Sequence, residues 1–256
     1  MIKLGVATSV NNIEKVAAAG FDYLELNLAE LAGYSDEEYT RVLNRVGKAP
    51  IGVECSNGML PAGLKVAGPD VSAQAIHDYL DIAFPRAAEL GIKVVVFGSG
   101  AARSIPEGFD TAQGWRQIGN FLRMAEKHAA ECGMDLAIEP LRSVESNILN
   151  YVSEATLLAS LLQLPHVGVL GDLYHMAMGG EGLKSLKMAG GLLKHVHVAN
   201  AVGRRYPKPG DGEKYAELFA LLKEMGYEGR VSIEAHTQDP DADLAPAFEA
   251  LSQARG

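Results

Sequence analysis

Eight short apolar runs, each followed by a stretch with helical spacing, predict that residues 1–256 form a single α/β domain, a (β/α)8 barrel of the TIM type. Hairpin signals are nearly absent, as expected when parallel strands are joined by helical crossovers. The alternative is an open doubly wound sheet, which would place a glycine-rich phosphate cradle after the first strand. This chain has Thr8-Ser9-Val10-Asn11-Asn12 there, and the spacing of Gly98 and Gly100 is wrong as well.

Ile2 to Ala7 reads as the first strand, Ile13 to Ala19 as a helix closed by Gly20, and Tyr23 to Asn27 as the second strand. Ser35 with Glu38 makes a capping box for a helix through Val46, and Ile51 to Cys55 is the third strand. Ser56 to Asp70 carries three Gly and two Pro, too long for a plain connection, and is expected to be a lid. A helix over Val71 to Leu90 leads to the fourth strand, Lys93 to Phe97, and a second glycine-rich loop from Gly98 to Phe109. Asp110 opens a long helix to Cys132, before the fifth strand that ends at Glu139-Pro140. Ser153 starts a helix to Leu162; Val167 to Asp172 is the sixth strand, and Leu183 to Met188 a weak helix after the Gly179-Gly180 break. Leu193 to Val198, Tyr215 to Met225, Arg230 to Glu234 and Asp243 to Ala254 complete the alternation.

With 48% hydrophobic and 21% charged residues the chain has ample material for one large core. Its net charge of −9, with no run of Lys or Arg longer than two, disfavours nucleic acid or an anionic membrane as partner. No apolar run approaches the ~20 residues of a membrane span. Two cysteines, Cys55 and Cys132, are too few for a disulfide scaffold, and Met1 to Val6 has no signal-peptide core, so a cytoplasmic protein with a small neutral ligand is expected.

Function is sought where such barrels keep it, at the C-terminal ends of the strands. Leu136 and Ile138 alternate with Ala137 and Glu139, so the glutamate faces away from the helices. The sixth strand ends in Asp172, the seventh in His197 and the eighth in Glu234, with Val231 and Ile233 on the opposite face from Glu234. Oxygen and imidazole donors on four successive strand ends suit Mn²⁺, Mg²⁺ or Co²⁺ and not a thiolate-loving metal, which points to a mononuclear divalent site.

Glu139-Pro140-Leu141 with Glu145, then Asn147-Ile148-Leu149-Asn150, Gly171-Asp172-Leu173-Tyr174-His175-Met176, His195-Val196-His197-Val198 and Ile233-Glu234 resemble the xylose-isomerase-like superfamily. Within it the pattern is most similar to ketose 3-epimerases of the tagatose/allulose type and their hydroxypyruvate-isomerase relatives. The resemblance implies that Glu139, Asp172, His197 and Glu234 hold the metal, with Mn²⁺ expected first. Glu145, His175 and Arg204 or Arg205 would contact the sugar. It also implies a homo-oligomer. Such an ion bridging O2 and O3 of a ketose acidifies the C3 proton and favours an enediolate, and Glu139 and Glu234, three strands apart, would serve as opposed acid and base. The alternatives are an aldose-ketose or hydroxypyruvate-type isomerase, an apurinic endonuclease, which would want more strand-end histidines and a basic surface, and a non-catalytic sugar-binding barrel.

Departures from the family pattern fall on the substrate side: Arg142-Ser143 replaces Asn-Arg, Asn200 stands where an acidic residue is usual, and the loop from Ala199 to Gly212 is longer. Arg103 in the fourth-strand loop is a further sugar-contact candidate. His195 and His236 are expected to support the site or fill the core, Glu25 to lie beneath it or on its polar rim, and Cys55 to line the pocket. His77, His128 and His166 read as surface. The run after Glu234 lacks glycine and is acidic, so an unphosphorylated sugar is expected.

Overall fold

The computed structural model describes residues 1–256 and closes eight parallel strands into a barrel in sequence order, β1 pairing with both β2 and β8. The strands are β1 (Lys3–Ala7), β2 (Tyr23–Asn27), β3 (Gly52–Asn57), β4 (Val94–Phe97), β5 (Asp135–Ile138), β6 (Val167–Asp172), β7 (Leu193–Val198) and β8 (Arg230–Ile233). Every crossover carries helix, beginning with α1 (Ile13–Ala18), and α11 (Pro240–Arg255) follows the last strand. No helix is long and apolar enough to cross a membrane.

A core of 63 buried apolar residues lies between strands and helices, against six in a separate cluster inside the barrel: Tyr23, Cys55, Val94, Val96, Ala137 and Leu170. Most of the hydrophobic stabilisation therefore comes from the outer layer, and the interior is free to hold polar groups. It does so: Glu25, His195, His197 and Ser232 are all buried, with the Tyr23 hydroxyl 2.7 Å from Ser232 Oγ. A Cβ on Gly5 would lie 2.3 Å from the Tyr23 ring, so that ring is seated on a position that has to be glycine.

The helices follow local signals. Both halves of the Ser35–Glu38 capping box form at the start of α3 (Asp36–Val46), and Asp110 caps α6 (Thr111–Glu131). Asp239 caps α11 with Pro240 in its first turn, three residues earlier than the apolar spacing suggests. Three short helices escape the sequence reading: α2 (Leu28–Gly33), α5 (Gly100–Arg103) and α8 (Leu173–Met178). α2 and α8 start on the residue after their strands, leaving no turn to mark the change of period, and α5 lies in a stretch whose glycines read as loop. The weak helix around residues 183–188 resolves into a 3-10 turn, Leu183–Ser185, and α9 (Leu186–Ala189).

The expected lid is tied down along its length. Met59, Leu60, Val66 and Ala67 are buried; Leu60 N–H donates to Ser99 Oγ at 2.9 Å, Val66 N–H to Ala102 O at 3.0 Å, and Gly68 exchanges two hydrogen bonds with Gln117. The segment is a packed wall joining β3 to α4 (Ala73–Glu89), and its Gly58 reaches the mouth of the barrel.

Candidate active site

Strand ends deliver the four donors to one place. Glu139 is the first residue past β5, held in register by its N–H on Phe97 O at 3.2 Å, and Glu234 follows β8 with its N–H on Val198 O at 3.1 Å. Asp172 and His197 lie directly opposite each other on β6 and β7. One ligand atom from each of Glu139, Asp172, His197 and Glu234 falls within 4.8 Å of every other.

Three carboxylates this close are costly unless each has partners. Asp172 Oδ1 caps α8, accepting from Tyr174 N–H at 2.7 Å and His175 N–H at 3.3 Å. Its Oδ2 is buried with no hydrogen-bond partner. Glu139 Oε1 lies 3.3 Å and Glu234 Oε2 3.4 Å from His197 Nδ1. Glu234 also takes Asn57 Nδ2 on Oε1 at 2.6 Å and the Arg204 guanidinium on Oε2. Buried His175 Nε2 is likewise unpartnered, 3.7 Å from Asp172 Oδ2. An inward-facing carboxylate oxygen without a donor, beside two carboxylates and an imidazole, fits a hard divalent cation with three oxygen ligands and one nitrogen.

The two strand-end glutamates are driven apart electrostatically. Burial and the neighbouring Glu234 charge push Glu139 above its ordinary value, with His197 opposing. Burial works the same way on Glu234, but His197 and Arg204 outweigh it and bring it down to about 2. His197, although burial disfavours its charge, is held well above the usual imidazole range by Glu25 and Glu234. Two carboxyl groups of opposite tendency facing one cavity are the arrangement expected of an acid and base pair.

That cavity is a cleft of roughly 340 Å³, walled by Gly58, Gly98, Gly100 and Ala101 and floored by Glu139 and Glu234; Glu145, His175 and Arg204 line it. The glycines give it room: a Cβ on Gly98 would stand 1.8 Å from Glu139 Oε2. Arg142 Nε holds Glu145 Oε1 at 2.6 Å, and the Tyr174 ring carries the guanidinium carbons of Arg142 and Arg204 5.3 and 5.0 Å from its centroid.

Of the two arginines after β7, Arg204 enters the site. It sits at φ 50°, so the chain reverses there, and Arg205 turns outward with its Nε on Val202 O at 2.9 Å. Arg103 corrects the sequence reading. It is fully buried under the site and donates to the carbonyls of Phe97, Glu139 and Leu149 at 2.9, 2.7 and 3.2 Å, so it cannot reach a ligand in the cleft. Cys55 lies beneath the mouth inside the barrel, His236 is exposed, and Glu25 is buried, not on the rim. Asn57 and Tyr174 were missed; Asn57 falls outside a third strand read as ending at Cys55, and the observed strand runs two residues further.

A family model for the xylose isomerase-like TIM barrel matches residues 13–254. D-psicose 3-epimerase of Ruminiclostridium cellulolyticum is 27% identical over 232 residues, 87% of this chain and 76% of that one. The 3-dehydro-D-guloside 4-epimerase of Escherichia coli is 31% identical over 128 residues, 49% of this chain and 48% of its own. Among solved structures, the apo 3-keto-D-glucoside 4-epimerase of E. coli superposes with a TM-score of 0.84 at 20% identity over 99% of this chain and 100% of that one, a likeness of fold.

Proposed function

The chain belongs to the xylose isomerase-like TIM-barrel family, and on that premise we propose that it is a divalent-metal-dependent sugar epimerase that inverts C3 of a ketose or keto-sugar. The observation that carries this reading is the convergence of Glu139, Asp172, His197 and Glu234, two of them carboxylates from β5 and β8 that face one cleft. Relatives named as 3-epimerases and a 4-epimerase, at 27 to 31% identity, support the reaction class.

Glu139, Asp172, His197 and Glu234 would hold the ion, with Mn²⁺ the first choice for such a donor set and Mg²⁺ or Co²⁺ compatible with it. Bound there, it would polarise the substrate's carbonyl and hydroxyl oxygens and acidify the adjoining C–H. The proton itself is moved by the protein. One of Glu139 and Glu234 removes it from C3, leaving an enediolate; the other returns a proton to the opposite face, and the roles exchange in the reverse direction. Arg204 shields the charge of Glu234 between turnovers, while Glu145, fixed by Arg142, and His175 offer hydrogen bonds to the sugar hydroxyls. The glycine walls admit the carbon chain close to Glu139.

The test is a panel of ketoses incubated with the chelated protein in deuterated water, with and without Mn²⁺, and read by NMR for the carbon that takes up deuterium. Mn²⁺-dependent label at C3 of a ketose is expected. Label at C1 or C2 would make the protein an aldose-ketose isomerase, and sugar binding without exchange on any substrate would make it a binding barrel. Full exchange in a metal-free sample would remove the ion from the proposal.

A further inference from the structure

The chemistry proposed above leaves one fully buried carboxylate unused. Glu25, near the end of β2, lies inside the barrel directly under the four donors, with Oε1 2.9 Å from His197 Nε2 and Oε2 2.9 Å from His195 Nε2. Register shifts occur at the level of this layer, on β3 beside the strand that carries Glu25 and on β7, which carries the two histidines. Glu54 is an extra residue on β3 before Cys55 comes opposite Glu25, and Lys194 is an extra residue on β7 before His195 comes opposite Leu170. Such bulges re-aim side chains beside functional sites. Apolar residues of similar volume would fill the space without the cost of desolvating a carboxylate and two imidazoles.

Counting hydrogens decides what the network does. The other nitrogen of His195, Nδ1, lies 3.1 Å from Arg230 O, a carbonyl that can only accept and so favours a hydrogen on Nδ1, with the Cys55 thiol 3.9 Å away as a second, weaker neighbour. With Nδ1–H in place, the 2.9 Å approach of His195 Nε2 to Glu25 Oε2 needs one further proton between them, and Ser232 Oγ lies 3.3 Å from the same Nε2. Whichever of the two holds it, Glu25 Oε1 remains an acceptor toward His197. His197 Nε2 must therefore donate, and the lone pair of neutral His197 is left on Nδ1, the atom that faces Glu139 and Glu234 at 3.3 and 3.4 Å.

We propose that Glu25, itself seated by His195, is a positioning residue that locks His197 in the Nε2–H tautomer and so makes Nδ1 the nitrogen ligand of the divalent ion. The proposal rests on the reading of His197 as a ligand, and it assigns a role to residues that touch neither ion nor sugar. A carboxylate behind a ligating imidazole fixes its ring orientation and raises its donor strength, and losing one typically weakens metal binding by about 10–100-fold.

Glu25→Gln and Glu25→Ala separate orientation from charge. Glutamine can accept from His197 with its amide oxygen and donate its N–H to the Nε2 lone pair of a His195 that keeps Nδ1–H on Arg230 O, so the lock survives without the charge. Alanine removes the acceptor; Glu25→Leu, which fills the volume, is the companion should alanine fail to fold. Long-range ¹H–¹⁵N spectra of histidine-labelled, Mg²⁺-loaded protein, with His197→Gln to assign the signal, report the tautomer. Electron paramagnetic resonance of free Mn²⁺ reports affinity. Wild type and Glu25→Gln should show one Nε2–H form of His197 and Mn²⁺ affinities within about fivefold of each other, and the alanine or leucine variant mixed tautomers and affinity about 10–100-fold weaker. Wild-type affinity in the alanine or leucine variant, a glutamine variant as weak as alanine, or Nδ1–H on His197 of the loaded wild type would each overturn the lock. A wild type that binds no Mn²⁺ at all would instead overturn the proposed function.

Discussion

On the proposed assignment, Glu139 is the residue on which stability and chemistry pull in opposite directions. Its charge is disfavoured by burial and by Glu234, so Glu139→Gln should raise the melting temperature of the metal-free protein, by roughly 2–4 °C per kcal/mol of repulsion relieved. The same variant should lose turnover by ~10² to 10⁴-fold, as should Glu234→Gln. Each should still exchange the proton that belongs to its surviving carboxylate, one washing deuterium into one C3 epimer and the other into its partner. Near wild-type turnover in both would place the base elsewhere. Glu145→Gln, by contrast, should act chiefly on KM, because the proposed function asks that carboxylate only to hold a sugar hydroxyl. Gly98 tests the same geometry from outside. Its φ is not in the left-handed region, so Gly98→Ala leaves the backbone unstrained, yet the new Cβ would occupy the place of Glu139 Oε2. The variant should fold with stability within about 1 kcal/mol of the parent and lose Mn²⁺ affinity and activity at least tenfold; unchanged metal binding, measured by calorimetry, would mean that the glutamate had another way to reach the ion.

At the level of elements, the mouth of the barrel is held by short helices that grow directly out of the strand ends. α8 begins on Asp172, so a single carboxylate ends β6, caps a helix and turns its free oxygen to the site. α5 ends on Arg103, whose guanidinium ties β4, the residue after β5 and Leu149 of the following loop through three carbonyls. Leu149 needs that tie, since it sits at φ 59°, a costly conformation for a branched side chain. Arg103→Ala should therefore cost on the order of 3 kcal/mol or more in urea unfolding, with three carbonyls stripped of a buried donor and a cavity left behind. KM of whatever remains folded should change little. A raised KM with no loss of stability would restore Arg103 to the substrate side.

Across the whole molecule, the outer core supplies the stability and the polar interior sets its pH dependence. Glu234, brought down to about 2, and Glu25, also held well below the carboxylate range with His197 and His195 overcoming its burial, stabilise the fold above their ordinary value of 4.5. That contribution is lost as the pH falls toward 2. His197 is raised, so its contribution is complete below 6.5 and fades as the pH climbs through its folded value. Glu139, also raised, adds a penalty as it ionises above 4.5. The metal-free protein should thus be most stable between about pH 4.5 and 6.5 and decline on both sides, checked by denaturant unfolding of chelated samples. On the proposed ligand set Mn²⁺ would compete with protons for the same atoms, so adding it should move the optimum upward. An optimum that ignored the ion would argue that it binds elsewhere.

The barrel was legible in the chain because its causes are local. Alternation and apolar runs mark the eight strands, Ser35, Asp110 and the terminal glycines mark helix ends, and each strand-end donor can be found by counting in twos from its apolar neighbours. Residues Glu139, Asp172, His197 and Glu234 follow from that counting once the strands are taken to close in order. What only the tertiary structure decided are the matters that depend on which side of a strand end, or how far past it, a side chain emerges. Arg204 rather than Arg205 enters the cleft because of a left-handed residue that no composition marks, and Arg103 turns under the site because α5 forms where the sequence shows a glycine-rich loop. Glu25 meets His195 and His197 across the barrel, 170 and 172 residues away in the chain, at a level where the histidine strand β7 and β3, the neighbour of β2, each carry an extra residue. Local periodicity carries no information about register between strands, and it is register, set by packing of the closed barrel, that brings those three side chains together.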